Sequence, residues 1–131
     1  MCYFIYGALF GDVDKSEYQQ IQEKYEYKFR TGTKHSVKIA VQENSDSYRV
    51  TNWCCDCDSA LGQQDSGADQ IRELCALFNE IKKIKGAKHI YLCKTWLGTR
   101  NKKEIKLKLD NIDLKGVLAE LSPNCQYTFE V

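Results

Sequence analysis

The chain has 131 residues, 43% apolar and 28% charged, which is long enough for one domain with a real core and too apolar for a disordered chain. Its seven cysteines are an odd number and no Asn-x-Ser/Thr acceptor occurs, which argues against a disulfide framework and for a reducing, cytoplasmic setting. The net charge of +1 hides an asymmetry: residues 82–108 hold ten basic side chains against Glu104 alone, +9, while residues 1–81 sum to −5 and residues 109–131 to −3.

Residues 2–10 are apolar at both parities, which predicts a strand covered on both faces and central in its sheet. The run is far shorter than the ~20 residues a membrane-spanning helix needs. Ser16 followed by Gln19 has the spacing of a capping box, and Tyr18, Ile21 and Tyr25 then fall on one helical face, predicting a helix over 16–28. Val37, Ile39 and Val41 alternate with polar or small residues, as do Tyr48 and Val50, around the turn-forming Asn44-Ser45-Asp46-Ser47; the pattern predicts a β-hairpin.

After a polar loop, Ser66 is the expected N-cap of a long helix whose stripe is Ile71, Leu74, Cys75, Phe78 and Ile81, closed by three lysines and Gly86. His89 to Leu97 reads as a second strand apolar on both faces, and in the strand after it Ile105, Leu107 and Leu109 alternate with Glu104, Lys106 and Lys108. Ile112 to Leu121 suits a short helix stopped at Pro123, and Cys125, Tyr127, Phe129 and Val131 alternate in a half-buried final strand. The order is βαββαββαβ. It predicts a single domain over 1–131, an α+β two-layer sandwich with three helices on a mixed, largely antiparallel six-stranded sheet.

Chemistry concentrates in Trp53-Cys54-Cys55-Asp56-Cys57-Asp58-Ser59-Ala60-Leu61-Gly62. Cys54, Cys55 and Cys57 are candidate thiolate ligands for zinc, with His35, His89 or another cysteine as the fourth, although in an extended segment Cys54 points away from the other two. Cys55 and Cys57 are expected to be accessible, whereas Cys2, Cys75, Cys93 and Cys125 sit in apolar patterns and are expected in the core. The six residues Asp56 to Leu61 resemble the Asp-x-Asp-Gly-Thr-Leu nucleophile loop of haloacid-dehalogenase-type phosphotransferases. The resemblance implies a magnesium-dependent phosphohydrolase with Asp56 as nucleophile, Asp58 as acid/base, Thr95 at the Ser/Thr position and Asp110 or Asp113 as further metal carboxylates. Ser59-Ala60 stands where that family has Gly-Thr.

Lys94, Trp96, Arg100, Lys102 and Lys103 crowd the segment between the last two long strands, and cations among aromatic rings suit phosphate contacts and base stacking. The alternative use of such lysines is to guard edge strands and to face an acidic loop of the same molecule. The expected function is a small cytoplasmic binding or regulatory domain, non-catalytic and without a cofactor. Its expected working surfaces are the 53–67 loop, with Trp53, Asp56 and Asp58, and the basic 94–103 hairpin. A protein partner comes first, a nucleic acid second, and no membrane is expected. The alternatives are the magnesium phosphohydrolase on Asp56 and Asp58, and a zinc-binding or redox protein on Cys54, Cys55 and Cys57.

Overall fold

The structure is a computed structural model that describes residues 3–32, 49–51, 53, 55–63, 68–96 and 103–131. Its strands are β1 (Tyr3–Gly11), β2 (Arg30–Gly32), β3 (Ala87–Trp96), β4 (Lys103–Lys108) and β5 (Cys125–Glu130), and its helices are α1 (Lys15–Gln22), α2 (Ala68–Lys82) and α3 (Leu114–Ala119). The fold is α+β, with one mixed sheet in the order β2-β1-β3-β5-β4. The β1/β3 and β3/β5 pairs are antiparallel and the β1/β2 and β4/β5 pairs parallel. Each parallel pair flanks a helix in sequence, because parallel neighbours need a crossover that a tight turn cannot supply.

Three expectations change. Among the described residues the sheet has five strands, not six, and β2, at Arg30–Gly32, is one that no periodicity announced. The expected hairpin strand at 37–41 lies outside the described residues, and its expected partner contributes an isolated bridge from Arg49 to Tyr6 of β1. The expected 94–103 hairpin is not a hairpin, because β5 lies between β3 and β4; Lys103 is in register with Cys125, and the carbonyl of Lys94 accepts from Asn124 N–H at 2.9 Å. This inner position also explains why β5 is buried on both faces, Gln126 and Thr128 included.

The parity of each strand sets the core. Ile5 and Leu9, Ile90 and Leu92, Tyr127 and Phe129 share the helix face, where the α2 stripe of Ile71, Leu74, Phe78 and Ile81 packs on them with Leu118 and Leu121. Phe78 sits edge-on to Phe29 at 5.7 Å and to Phe129 at 5.2 Å. On the opposite face Tyr6, Ala8, Tyr91 and Cys93 form a second, smaller cluster. Gly86 follows α2 with φ +93°, and a Cβ there would lie 2.0 Å from the Asp12 carbonyl oxygen, so only glycine lets the chain turn into β3 against the end of β1.

Helix α1 stops at Gln22, six residues before the expected end. The Gln22 side-chain amide donates to the Tyr27 carbonyl at 3.2 Å and the Tyr18 hydroxyl to the Phe29 carbonyl at 2.7 Å, so both side chains hold residues 27–29 alongside the helix rather than in it. Its cap is Asp14, whose Oδ1 accepts from Glu17 N–H at 2.9 Å, not Ser16. Asp14→Ala should therefore cost about 1 kcal/mol, and Ser16→Ala less than about 0.5 kcal/mol, by urea titration at unchanged slope. Equal losses would return the cap to Ser16.

Candidate functional site

The short β2 pairs with β1 only from Ala8 onward and leaves the first half of that edge of β1 to other partners. Irregular chain fills it. Val50 N–H donates to the Ile5 carbonyl at 3.2 Å, Asp56 N–H to the Tyr3 carbonyl at 2.9 Å, and Ile5 N–H to Asp56 Oδ2 at 2.7 Å. A second strand donor, Tyr3 N–H, reaches Cys57 Sγ at 3.3 Å. The cysteine loop thus serves as a substitute edge partner, which satisfies strand donors that would otherwise be buried unpaired.

Asp56 is the pin of this arrangement. It is 0% exposed, its Oδ1 accepts from Thr51 Oγ1 at 2.6 Å, and its Oδ2 takes Arg49 Nη2 at 3.2 Å as well as Ile5 N–H. Arg49 Nη2 also donates to the Trp53 carbonyl at 2.8 Å, and the guanidinium carbon lies 4.5 Å from the centre of the Phe4 ring. The Trp53 ring meets Tyr27 edge-on at 6.3 Å. Trp53 and Asp56 therefore anchor the loop, and of the three side chains expected at its working surface Trp53 is half-buried, Asp56 buried and Asp58 exposed.

The constellation implied by the phosphotransferase resemblance is not gathered at one place. Both Asp56 oxygens are engaged inside the fold, and Asp110 pairs with Lys82 at the end of α2. Asp113 stands at the N-cap of α3, and Thr95 is buried on the sheet face opposite Lys94. Cys55 and Cys57 are both half-buried, while Cys54, Arg100 and Lys102 lie outside the described residues. Among the described residues, no group of three or more His, Cys, Asp or Glu is placed to hold a metal ion. Cys93 and Cys125 are buried as expected; Cys75 is half-buried in α2, and burial pushes its thiol up.

The unexpected feature is Lys94. On β3 it follows Ile90 and Leu92 at the same parity, so its stem runs into the helix face, and the residue is only 6% exposed. Its ammonium donates to the carbonyl of Leu61 at 3.1 Å and lies 3.4 Å from that of Ser59. It also stands 5.8 Å from the centre of the Tyr3 ring. Burial holds its pKa below the usual lysine value, against the opposing pull of Cys57, Asp56 and Asp58. Among the described residues no carboxylate comes within ion-pair distance of it.

Lys94 opens on a cavity of 190 Å³ walled by Tyr3, Cys57, Leu61, Leu121 and Pro123. Gly62 permits that wall: its φ is +77°, its N–H donates to the Leu118 carbonyl at 3.0 Å, and a Cβ would lie 2.6 Å from the Leu121 carbonyl oxygen. Trp96 meets the ring of Tyr3, a wall residue, edge-on at 4.8 Å. Lys103 is exposed at the start of β4, one strand beyond β5. Sequence reasoning named Lys94 as a surface cation, although its inward parity after Ile90 and Leu92 was a readable signal of burial. It missed Tyr3, and the pairing of Asp56 with Arg49 and Thr51.

A second groove, of 640 Å³, lies on the opposite sheet face, where Lys106 and Lys108 stand among Glu104 and Glu130. Its charges are of both signs, and Glu104 already accepts from Thr128 at 2.8 Å. No helix of the described residues is long and apolar enough to cross a membrane. Comparison of the chain with family models, with curated proteins and with solved structures finds no match in any of the three, so the function is read from the site alone.

Proposed function

We propose that the chain is a small cytoplasmic binding or regulatory domain that recognises an anionic group in the cavity between the cysteine loop and β3. One observation carries the reading: a lysine almost wholly out of water is held by two carbonyl oxygens, with no carboxylate paired to it among the described residues, at the wall of an open cavity. A buried ammonium is costly unless an opposite charge answers it. A carboxylate or phosphate entering the cavity supplies that charge. The occupant is a single anionic group, such as an acidic side chain or chain terminus of a protein partner, because Lys94 is the only charged residue among the described ones that line the cavity. A nucleic acid would call for a row of cations, and Lys94 and Lys103 are held apart by β5. The buried and fully engaged Asp56 favours this reading over phosphate-ester hydrolysis.

The reading predicts that acetate and inorganic phosphate raise the thermal midpoint above that in chloride at equal ionic strength, by about 1.4 kcal/mol of stability at ten times Kd. The fluorescence of Trp96 should change with the same midpoint, since its ring touches Tyr3 at the cavity wall. In Lys94→Met only the general salting effect of these anions should remain. Equal responses of the two proteins would remove the cavity as the site.

A further inference from the structure

We propose that Cys57 is a thiol–disulfide exchange site that selects anionic, low-molecular-weight disulfides, with Lys94 as the recognising charge and Cys57 Sγ as the reacting atom. This rests on the anion-binding reading above and adds a covalent step to it.

The geometry brings three features to one place. Cys57 is half-buried and lines the cavity, so its sulfur is reached through the same opening as the ammonium. Its Sγ accepts the N–H of Tyr3 at 3.3 Å, which fixes the sulfur at the edge of β1. Lys94 lines the same cavity, which places the sulfur and the ammonium on walls of one space. Of the other described cysteines, Cys93 and Cys125 are buried, Cys75 is half-buried in α2, where burial raises its pKa, and Cys55 is half-buried in the same loop but does not line the cavity.

The step balances without any further oxidant. The Cys57 thiol releases its proton to solvent, and the thiolate attacks one sulfur of the disulfide. A bond forms between that sulfur and Cys57 Sγ while the original S–S bond breaks. The departing thiolate leaves with the bonding pair and takes up a proton from solvent. Cys57 is oxidised to a mixed disulfide, half of the reagent is reduced to thiol, and excess free thiol runs the step backwards. Lys94 acts on the approach of the reagent: its positive charge raises the local concentration of an anionic disulfide and lowers that of a cationic one.

The test uses dithiodiglycolate, hydroxyethyl disulfide and cystamine, which are dianionic, neutral and dicationic and differ little in size. Each rate at Cys57 is read by peptide mapping under native conditions and divided by the reagent's rate with free cysteine. The normalised rate should be highest for dithiodiglycolate and about tenfold above that for cystamine at low salt. That ratio should fall toward one as salt rises, and it should be lost in Lys94→Met. If Lys94→Met does not fold, the salt dependence of the wild-type ratio decides alone. Equal normalised rates for the three reagents, or slower modification of Cys57 than of Cys75, would overturn the inference. Stabilisation of the wild type by acetate or phosphate alongside equal rates would sink the exchange site and leave the anion site standing, whereas absence of both would sink the two together.

Discussion

Asp56→Ala should destabilise the fold by about 3 to 5 kcal/mol, because it removes one partner of a buried ion pair and leaves the other behind. The carboxylate is 0% exposed and the Arg49 side chain 16% exposed, so the guanidinium cannot recover its lost partner from bulk water. Ile5 N–H and the Thr51 hydroxyl lose their acceptor in the same substitution. Each such buried donor adds about 1 to 3 kcal/mol when left unmade, although losses within one network do not add in full. Asp56→Asn retains the shape and one acceptor oxygen and should cost less, while still leaving the Arg49 charge unanswered. Asp58→Ala, two residues on and exposed, should stay within about 0.5 kcal/mol. Urea titrations of the three variants decide the matter. An Asp56→Ala protein within about 1 kcal/mol of wild type would mean that backbone hydrogen bonds alone dock the loop. The same loss should abolish the anion response, because Asp56 holds the segment whose carbonyls at Ser59 and Leu61 face the Lys94 ammonium.

What the sequence revealed follows the range of the interactions. The α2 stripe at Ile71, Leu74, Phe78 and Ile81 is a repeating local pattern, and all four side chains are buried. The apolar runs of β1 and β3 announce strands covered on both faces, and these two lie side by side within the sheet. Strand order is different in kind. Nothing local to Cys125–Glu130 says that it will slip between β3 and β4, since its partners lie about twenty to forty residues away and its alternation suits an outer strand equally well. Three residues are too few for β2 to show a period. The cysteine loop was legible as chemistry and illegible as geometry: an irregular segment has no parity to say which way Asp56 points. Its partners at Ile5, Arg49 and Thr51 are set by how the loop lies on β1.

Lys94→Met should yield a more stable protein, by about 1 to 3 kcal/mol at neutral pH, because a thioether of similar length fills the same stem position without a desolvated charge. The gain should shrink as the pH rises. Burial lowers the Lys94 pKa in the folded protein below its usual 10.5, so the unfolded chain holds this proton more tightly. Below the folded value both states are charged and the penalty is complete. Between the folded value and 10.5 the unfolded state binds more protons, so wild-type stability rises with pH relative to the variant. Several tyrosines work in the opposite direction. Tyr25 is pushed up to about 12 by its hydrogen bond to Glu80 and Tyr27 to about 12 by burial, and burial also raises Tyr18 and Tyr91. These groups ionise first in the unfolded chain, which erodes stability above about pH 10 in both proteins alike. The difference between wild type and Lys94→Met cancels them and isolates the lysine. Denaturation at a series of pH values from 7 to 10 should show the two curves converging on the alkaline side, with acetate closing part of the gap at pH 7 by supplying the charge that the fold withholds. Parallel curves, or a variant less stable than wild type at neutral pH, would mean that the two carbonyls satisfy the ammonium and that the cavity needs no anion.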